Sequence, residues 1–192
     1  MTVQKLWRLI VLSSIFSLLP ACDGLTNKQD SPDSDLKVVI IRHAEKPASG
    51  GDNLSCQGQN RATKLPEIIT QKFGKPDYIR VPALKSAKST AHSRMFQTAT
   101  PLAIKHDIAI NSKYSETDYA DIANSVFKKT GTVLMVWSHS EIPALAEALG
   151  LSDAPDWQKQ DFDGLWVITY ADKKPQLTQD VEGLIPSLDC NF

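Results

Sequence analysis

Val38-Val39-Ile40-Ile41-Arg42-His43-Ala44-Glu45-Lys46 is the stretch on which the reading of this chain turns. Four β-branched residues in a row, apolar at every position, predict a strand buried on both faces of a sheet. The run stops at Arg42-His43 and gives way to a loop rich in Gly, Pro and Ser. A guanidinium and an imidazole are therefore delivered together at the carboxyl end of a core strand, where open α/β sheets bind their ligands.

Downstream, apolar and small residues at Ala62, Leu65, Ile68 and Ile69 mark a helix over 58–71, with Pro66 expected to kink it or delay its regular part. Gly74-Lys75-Pro76 ends that helix, and 78–81 reads as a second core strand. A polar loop covers 82–91, followed by a helix from 91 or 92 to 105 and a short strand at 108–110. A third helix spans 118–129 and stops at Thr130-Gly131. Val133 to Trp137 is another buried strand, ending at Ser138-His139. A helix over 141–149, a strand over 165–170 after the Asp163-Gly164 turn, and an edge strand at 176–178 complete the pattern.

Alternating strands and helices predict an α/β fold in three layers, a mostly parallel sheet flanked by helices on both faces. Two core strands that both end in histidine, His43 and His139, bring two imidazoles to one sheet edge. Packing alone gives little reason for histidine at the end of an apolar strand.

Four blocks in order carry a resemblance: Arg42-His43-Ala44-Glu45-Lys46; Leu54-Ser55-x-x-Gly58-x-x-Arg61-Ala62; Ser93-Arg94-x-x-Gln97-Thr98-Ala99-x-Pro101-Leu102-Ala103; and Val133 to Ser140. Together they resemble the histidine phosphatase superfamily, the phosphoglycerate-mutase-like proteins, over most of the chain beyond residue 36. The resemblance implies that His43 is a nucleophile taking a phosphoryl group onto a ring nitrogen, with water releasing it. It implies that Arg42 and Arg94 bind the phosphate and that His139 faces the transferred group as an imidazolium. The residue types suit that chemistry, since neutral imidazole is nucleophilic near neutrality and a guanidinium forks onto two phosphate oxygens. Two Arg and two His supply the positioning and charge that phosphoryl transfer needs without a metal or other cofactor.

Lys46 lies close enough to assist with phosphate. Arg61 is expected to serve its helix and neighbours, His92 to border the pocket or lie on the surface, and His106 to be exposed. For the acid that protonates the leaving group, the resemblance points to the segment between the Arg94 block and the His139 strand, hence Glu116, with Asp118 there and Glu141 just after His139 as alternatives.

At 192 residues with a net charge of −1, the chain has room for one domain and shows no basic excess that would suit nucleic acid. Lys5 and Arg8, an apolar run from Leu9 to Leu19, and Pro20-Ala21 predict a signal peptide over 1–21. Leu19-Pro20-Ala21-Cys22 resembles a bacterial lipobox, with lipidation expected on Cys22; plain cleavage after Ala21 is the alternative. Cleavage removes two bases and no acid, so 19 of the 21 basic residues and all 22 acidic ones remain, net −3. Residues 22–35 then form the lipid anchor and a flexible tether, and 36–192 the catalytic domain. Cys56 and Cys190 are the even pair left in an exported, oxidising compartment, and a disulfide between them is expected, against two free thiols.

The resulting expectation is a phosphomonoesterase tethered to a bacterial envelope membrane and facing the periplasm. Its substrate would be a phosphate on a bulky partner such as a glycolipid or a protein. The alternative from another class is a non-catalytic phosphate-binding lipoprotein on the same fold.

Overall fold

Lys37–Arg42 forms strand β1, in which Val38 through Ile41 are completely buried. The structure is a computed structural model that describes residues 31–84, 90 and 92–192. The expected signal peptide, Cys22 and most of the tether lie outside the described residues. Among the described residues no helix is long and apolar enough to cross a membrane.

The remaining elements follow in order: α1 (Cys56–Phe73), β2 (Tyr78–Arg80), α2 (Ser93–His106), β3 (Ile110–Asn111), α3 (Tyr119–Val126), β4 (Thr132–Trp137), α4 (Ile142–Ala148), β5 (Gly164–Ala171) and β6 (Lys174–Val181). The strands form one sheet in the order β3-β2-β4-β1-β5-β6. The four strands from β3 to β1 are parallel, with Arg42 opposite Trp137 at the β1–β4 ladder end. β5 departs from simple alternation by running antiparallel to β1, and β6 turns back antiparallel on β5. The expected edge strand at 176–178 is the middle of this eight-residue strand.

Side chains alternate between two cores, as the two-residue strand period requires. Val38, Ile40, Val133 and Met135 pack with Ile122 of α3 and Leu145 of α4. Val39, Ile41, Leu134 and Val136 pack with Leu65 and Ile69 of α1 and Leu102 of α2. Each fully buried branched side chain contributes on the order of 1.5–3 kcal/mol. This is the expected arrangement of helices on both faces.

α1 starts two residues earlier than its apolar stripe suggests, because Ser55 caps it: the hydroxyl oxygen accepts from the Gly58 N–H at 3.1 Å. Pro66 lies within the helix, and Thr70 donates its hydroxyl to the Pro66 carbonyl at 2.6 Å. His106, expected to be exposed, is half-buried with Nε2 2.9 Å from the Thr70 hydroxyl.

Cys56 and Cys190 form the expected disulfide, with Cα atoms 4.9 Å apart. It ties the C-terminal tail to the first turn of α1, where Asn60 also donates to the carbonyls of Ser187 and Asp189.

Candidate active site

Both histidine-bearing strand ends meet at the carboxyl edge of the sheet. The His43 N–H donates to the Trp137 carbonyl at 2.9 Å, extending the β1–β4 ladder one residue past Arg42. The buried His43 ring places Nδ1 2.7 Å from the Ala44 carbonyl. A carbonyl only accepts, so Nδ1 carries the proton and Nε2 keeps its lone pair. Burial lowers the pKa of this imidazole to about 3; the Ala44 carbonyl opposes that shift, and the Arg42, Arg94 and Lys46 charges add to it. His43 is therefore neutral at physiological pH.

Arg42 is buried, donating Nη1 to the carbonyls of Lys159 (2.5 Å) and Asp161 (3.2 Å), and its guanidinium lies 3.7 Å from the Phe162 ring centroid. The Phe162 ring also sits 6.1 Å from that of His43. Burial lowers the Arg42 pKa to about 10, Asp161 raising it and Arg94 lowering it, so the charge persists at neutral pH. Arg94, in the first turn of α2, donates Nη1 to the Gly51 carbonyl. The Nε atoms of Arg42 and Arg94 are buried and have no hydrogen-bond partner. Two guanidinium groups thus keep donors in reserve beside a neutral imidazole.

His139 is half-buried and feels Arg42, Lys159 and Lys46. Burial first, then those cations, push its pKa below the ordinary value, with Glu141 opposing. The expected imidazolium is thus disfavoured in the free protein. Lys46 is exposed, and its charge acts on both imidazoles.

The motif residues around the two arginines fix the loops. Thr98 accepts from the Ala44 N–H at 2.9 Å and donates to the Arg94 carbonyl at 2.7 Å, joining the residue after His43 to α2. Gln97 accepts from Leu54 N–H and donates to Asn53, both at 2.8 Å. Arg61 is buried among three carboxylates: Glu45 at 2.9 Å, Asp163 at 2.8 Å and Glu182 at 2.5 Å. Burial works against its charge, but Glu45, Glu182 and Asp163 outweigh it and hold the guanidinium above its ordinary range. Its role is to brace the loop after β1 against β5 and the tail.

The three acid candidates have different surroundings. Asp118 is exposed and accepts from Ser115 N–H at 2.8 Å, closing a turn before α3. Glu141 accepts the Tyr119 hydroxyl. Glu116 has Oε2 3.0 Å from Nε2 of His92, while its Oε1 is buried without a partner. Its carbonyl accepts the Trp137 indole N–H at 3.1 Å, which sets it beside the strand that leads to His139.

Sequence reasoning missed Phe162 and the carbonyls of Lys159 and Asp161, which hold Arg42. Backbone acceptors leave no mark in side-chain chemistry, and Asp163-Gly164 was legible only as a turn. Among the described residues, no group of three or more His, Cys, Asp or Glu is placed to hold a metal ion.

No protein-family model and no curated protein matches this sequence. Solved structures do. A phosphoserine phosphatase from Entamoeba histolytica, in complex with phosphoserine, superposes with a TM-score of 0.53 at 13% identity, over 77% of this chain and 97% of that one. A protein from Agrobacterium tumefaciens, described as the phosphohistidine phosphatase SixA, gives 0.53 at 20% identity, over 80% and 99%. An Escherichia coli protein described as an alpha-ribazole-5'-P phosphatase gives 0.50 at 14%, over 82% and 98%. The fold is that of the histidine phosphatases. At these identities the likeness is one of fold; His43 and Arg42 stand at the carboxyl edge of the sheet, where open α/β sheets bind their ligands.

Proposed function

We propose that this chain is a phosphomonoester hydrolase working through a phosphohistidine on His43. The observation that carries the reading is the Nδ1 contact of His43 to the Ala44 carbonyl, which leaves Nε2 as a bare nucleophile among Arg42, Arg94 and Lys46. Nε2 attacks phosphorus in line while the two guanidinium groups fork onto the equatorial oxygens. His139 donates an N–H to the same oxygens, and the dianion offsets the cations that otherwise depress its protonation. Glu116 protonates the departing oxygen. Water then attacks the phosphohistidine, releasing phosphate and restoring His43.

In this reading the substrate is a phosphorylated envelope component, a glycolipid or a protein, and Cys22 carries the lipid that holds the domain at a bacterial membrane on its periplasmic side. Export is supported by the Cys56–Cys190 disulfide, which an oxidising compartment favours. Cys22→Ser should move the protein from the membrane to the soluble fraction.

The test is hydrolysis of an aryl phosphate by the purified domain. His43→Ala should remove essentially all turnover while leaving the fold and some phosphate affinity in place. Rapid quenching should trap phosphate on His43, labile to acid and stable to base. A folded His43→Ala variant with near-normal activity would refute the reading, and absence of turnover in wild type alongside retained phosphate binding would favour the binding-protein alternative.

A further inference from the structure

The environment of His92 constrains where its protons sit. Nδ1 lies 2.7 Å from the Ala83 carbonyl oxygen, and Nε2 lies 3.0 Å from Oε2 of Glu116. Both neighbours are oxygen acceptors, and two facing lone pairs at these distances repel. The ring is buried, so water does not relieve the conflict. Nδ1 must therefore carry a proton, because a carbonyl has none to give. A second proton must lie between Nε2 and the carboxylate, on one or the other.

Four further features single the pair out. His92 holds a left-handed backbone (φ 74°), uncommon for a non-glycine residue. It precedes the phosphate-binding candidate Arg94 by two residues, at the start of α2. Glu116 keeps Oε1 buried and unpartnered, an acceptor that nothing in the described protein uses. Trp137 links this pair to the nucleophile, since its indole donates to the Glu116 carbonyl and its own carbonyl accepts from the His43 N–H.

We propose that His92 and Glu116 form a one-proton reservoir, in which His92 is the positioning residue that keeps the Glu116 carboxyl supplied with the leaving group's proton. The proposal rests on the phosphatase reading above. In the first step the Nε2–P bond of His43 forms, the P–O bond to the alcohol breaks, and the alkoxide takes the shared proton from Glu116. The pair is left with its Nδ1 proton alone. In the second step a water gives one proton back to Glu116, its oxygen bonds to phosphorus, and the P–N bond breaks. Tyr119 feels the Glu116 charge and donates its hydroxyl to Glu141.

Leaving-group dependence tests the assignment, with kcat/KM measured for p-nitrophenyl phosphate, whose leaving group departs as an anion, and for glycerol 2-phosphate, whose leaving group needs a proton. Glu116→Gln and His92→Gln should each lower the glycerol-to-nitrophenyl ratio of kcat/KM by ~10²-fold, in line with general-acid contributions. The double variant should be no worse than Glu116→Gln alone, because the two act as one unit. Equal losses on both substrates in a folded His92→Gln would overturn the proposal, as would an unchanged ratio. A separate measurement keeps it distinct from the phosphatase reading: ¹⁵N and carboxyl ¹³C NMR of wild type at pH 7 should count one proton shared by Nε2 and Glu116. If no monoester is hydrolysed, the phosphatase reading fails while this count still decides the pair; finding no shared proton overturns the pair outright.

Discussion

Gly58 lies so close to Glu45 that a Cβ at position 58 would overlap the Glu45 carbonyl oxygen. That same oxygen accepts from the Ser55 N–H at 2.9 Å and the Ser55 hydroxyl at 3.2 Å. The first turn of α1 is therefore pressed against the backbone two residues beyond His43. Gly58→Ala should push the loop away, destabilise the protein by ~1–3 kcal/mol as overpacking does, and cut turnover by more than the stability loss explains. Thermal unfolding beside kcat/KM measures the two effects separately.

Stability should depend on pH in two directions. Burial lowers the His43 pKa to about 3 from 6.5, so above 6.5 the group is neutral in both folded and unfolded chains. As pH falls from 6.5 toward 3 the unfolded chain takes the proton first, and up to roughly 4–5 kcal/mol is lost. Glu182 behaves oppositely. Burial raises its pKa from 4.5 to about 8 despite the opposing charge of Arg61, with Asp163 and Glu45 adding to the rise. Its stabilising contribution is full below pH 4.5 and is lost as pH climbs through 8. Urea titrations across pH 4–9 should show His43→Asn flattening the acid side and Glu182→Gln the alkaline side.

Removing the Arg94 guanidinium should weaken phosphate or vanadate binding by about 1.5–3 kcal/mol, the range for hydrogen bonds to charged groups, and slow turnover with it. Calorimetry of phosphate binding to wild type and Arg94→Ala checks the first number.

His139→Ala should leave vanadate affinity less affected than kcat, which should fall by ~10²–10³ as for other preorganised donors. Because burial and the cations Arg42, Lys159 and Lys46 depress its protonation, binding a phosphate dianion should draw a proton onto the ring. Calorimetry in buffers of different ionisation enthalpy should detect that uptake in wild type and not in His139→Ala.

Reducing the Cys56–Cys190 bond, which spans 134 positions, should lower stability by about 5 kcal/mol on the chain-entropy model, offset by any structure the reduced chain retains. Thermal melts with and without reductant make the comparison, with Cys56→Ser/Cys190→Ser as the permanent reference.

The core of this fold was legible because its strands are short runs of branched residues ending at chemically distinctive ones. Val38 to Ile41 and Val133 to Trp137 could be little else, and the two histidines mark the edge they share. The direction of β5 was not legible, since a residue pattern records burial and not strand polarity. Nor was the support of Arg42, which comes from carbonyls of Lys159 and Asp161 far along the chain. The environment of His92 depends on a left-handed turn and on Ala83 and Glu116 arriving from separate loops, so its spacing from Arg94 carried only part of the message.

The bond between Cys56 and Cys190 closes residues 56–190, from the first turn of α1 past β6, into a covalent ring. A protease that cuts anywhere between them opens the ring without separating the pieces. Strands β1 and β4 would stay paired across such a nick, with His43 and His139 still on one molecule. A clipped population should run as a single intact band without reductant and as two fragments with it, so survival under proteolysis would be governed by the second cut rather than the first.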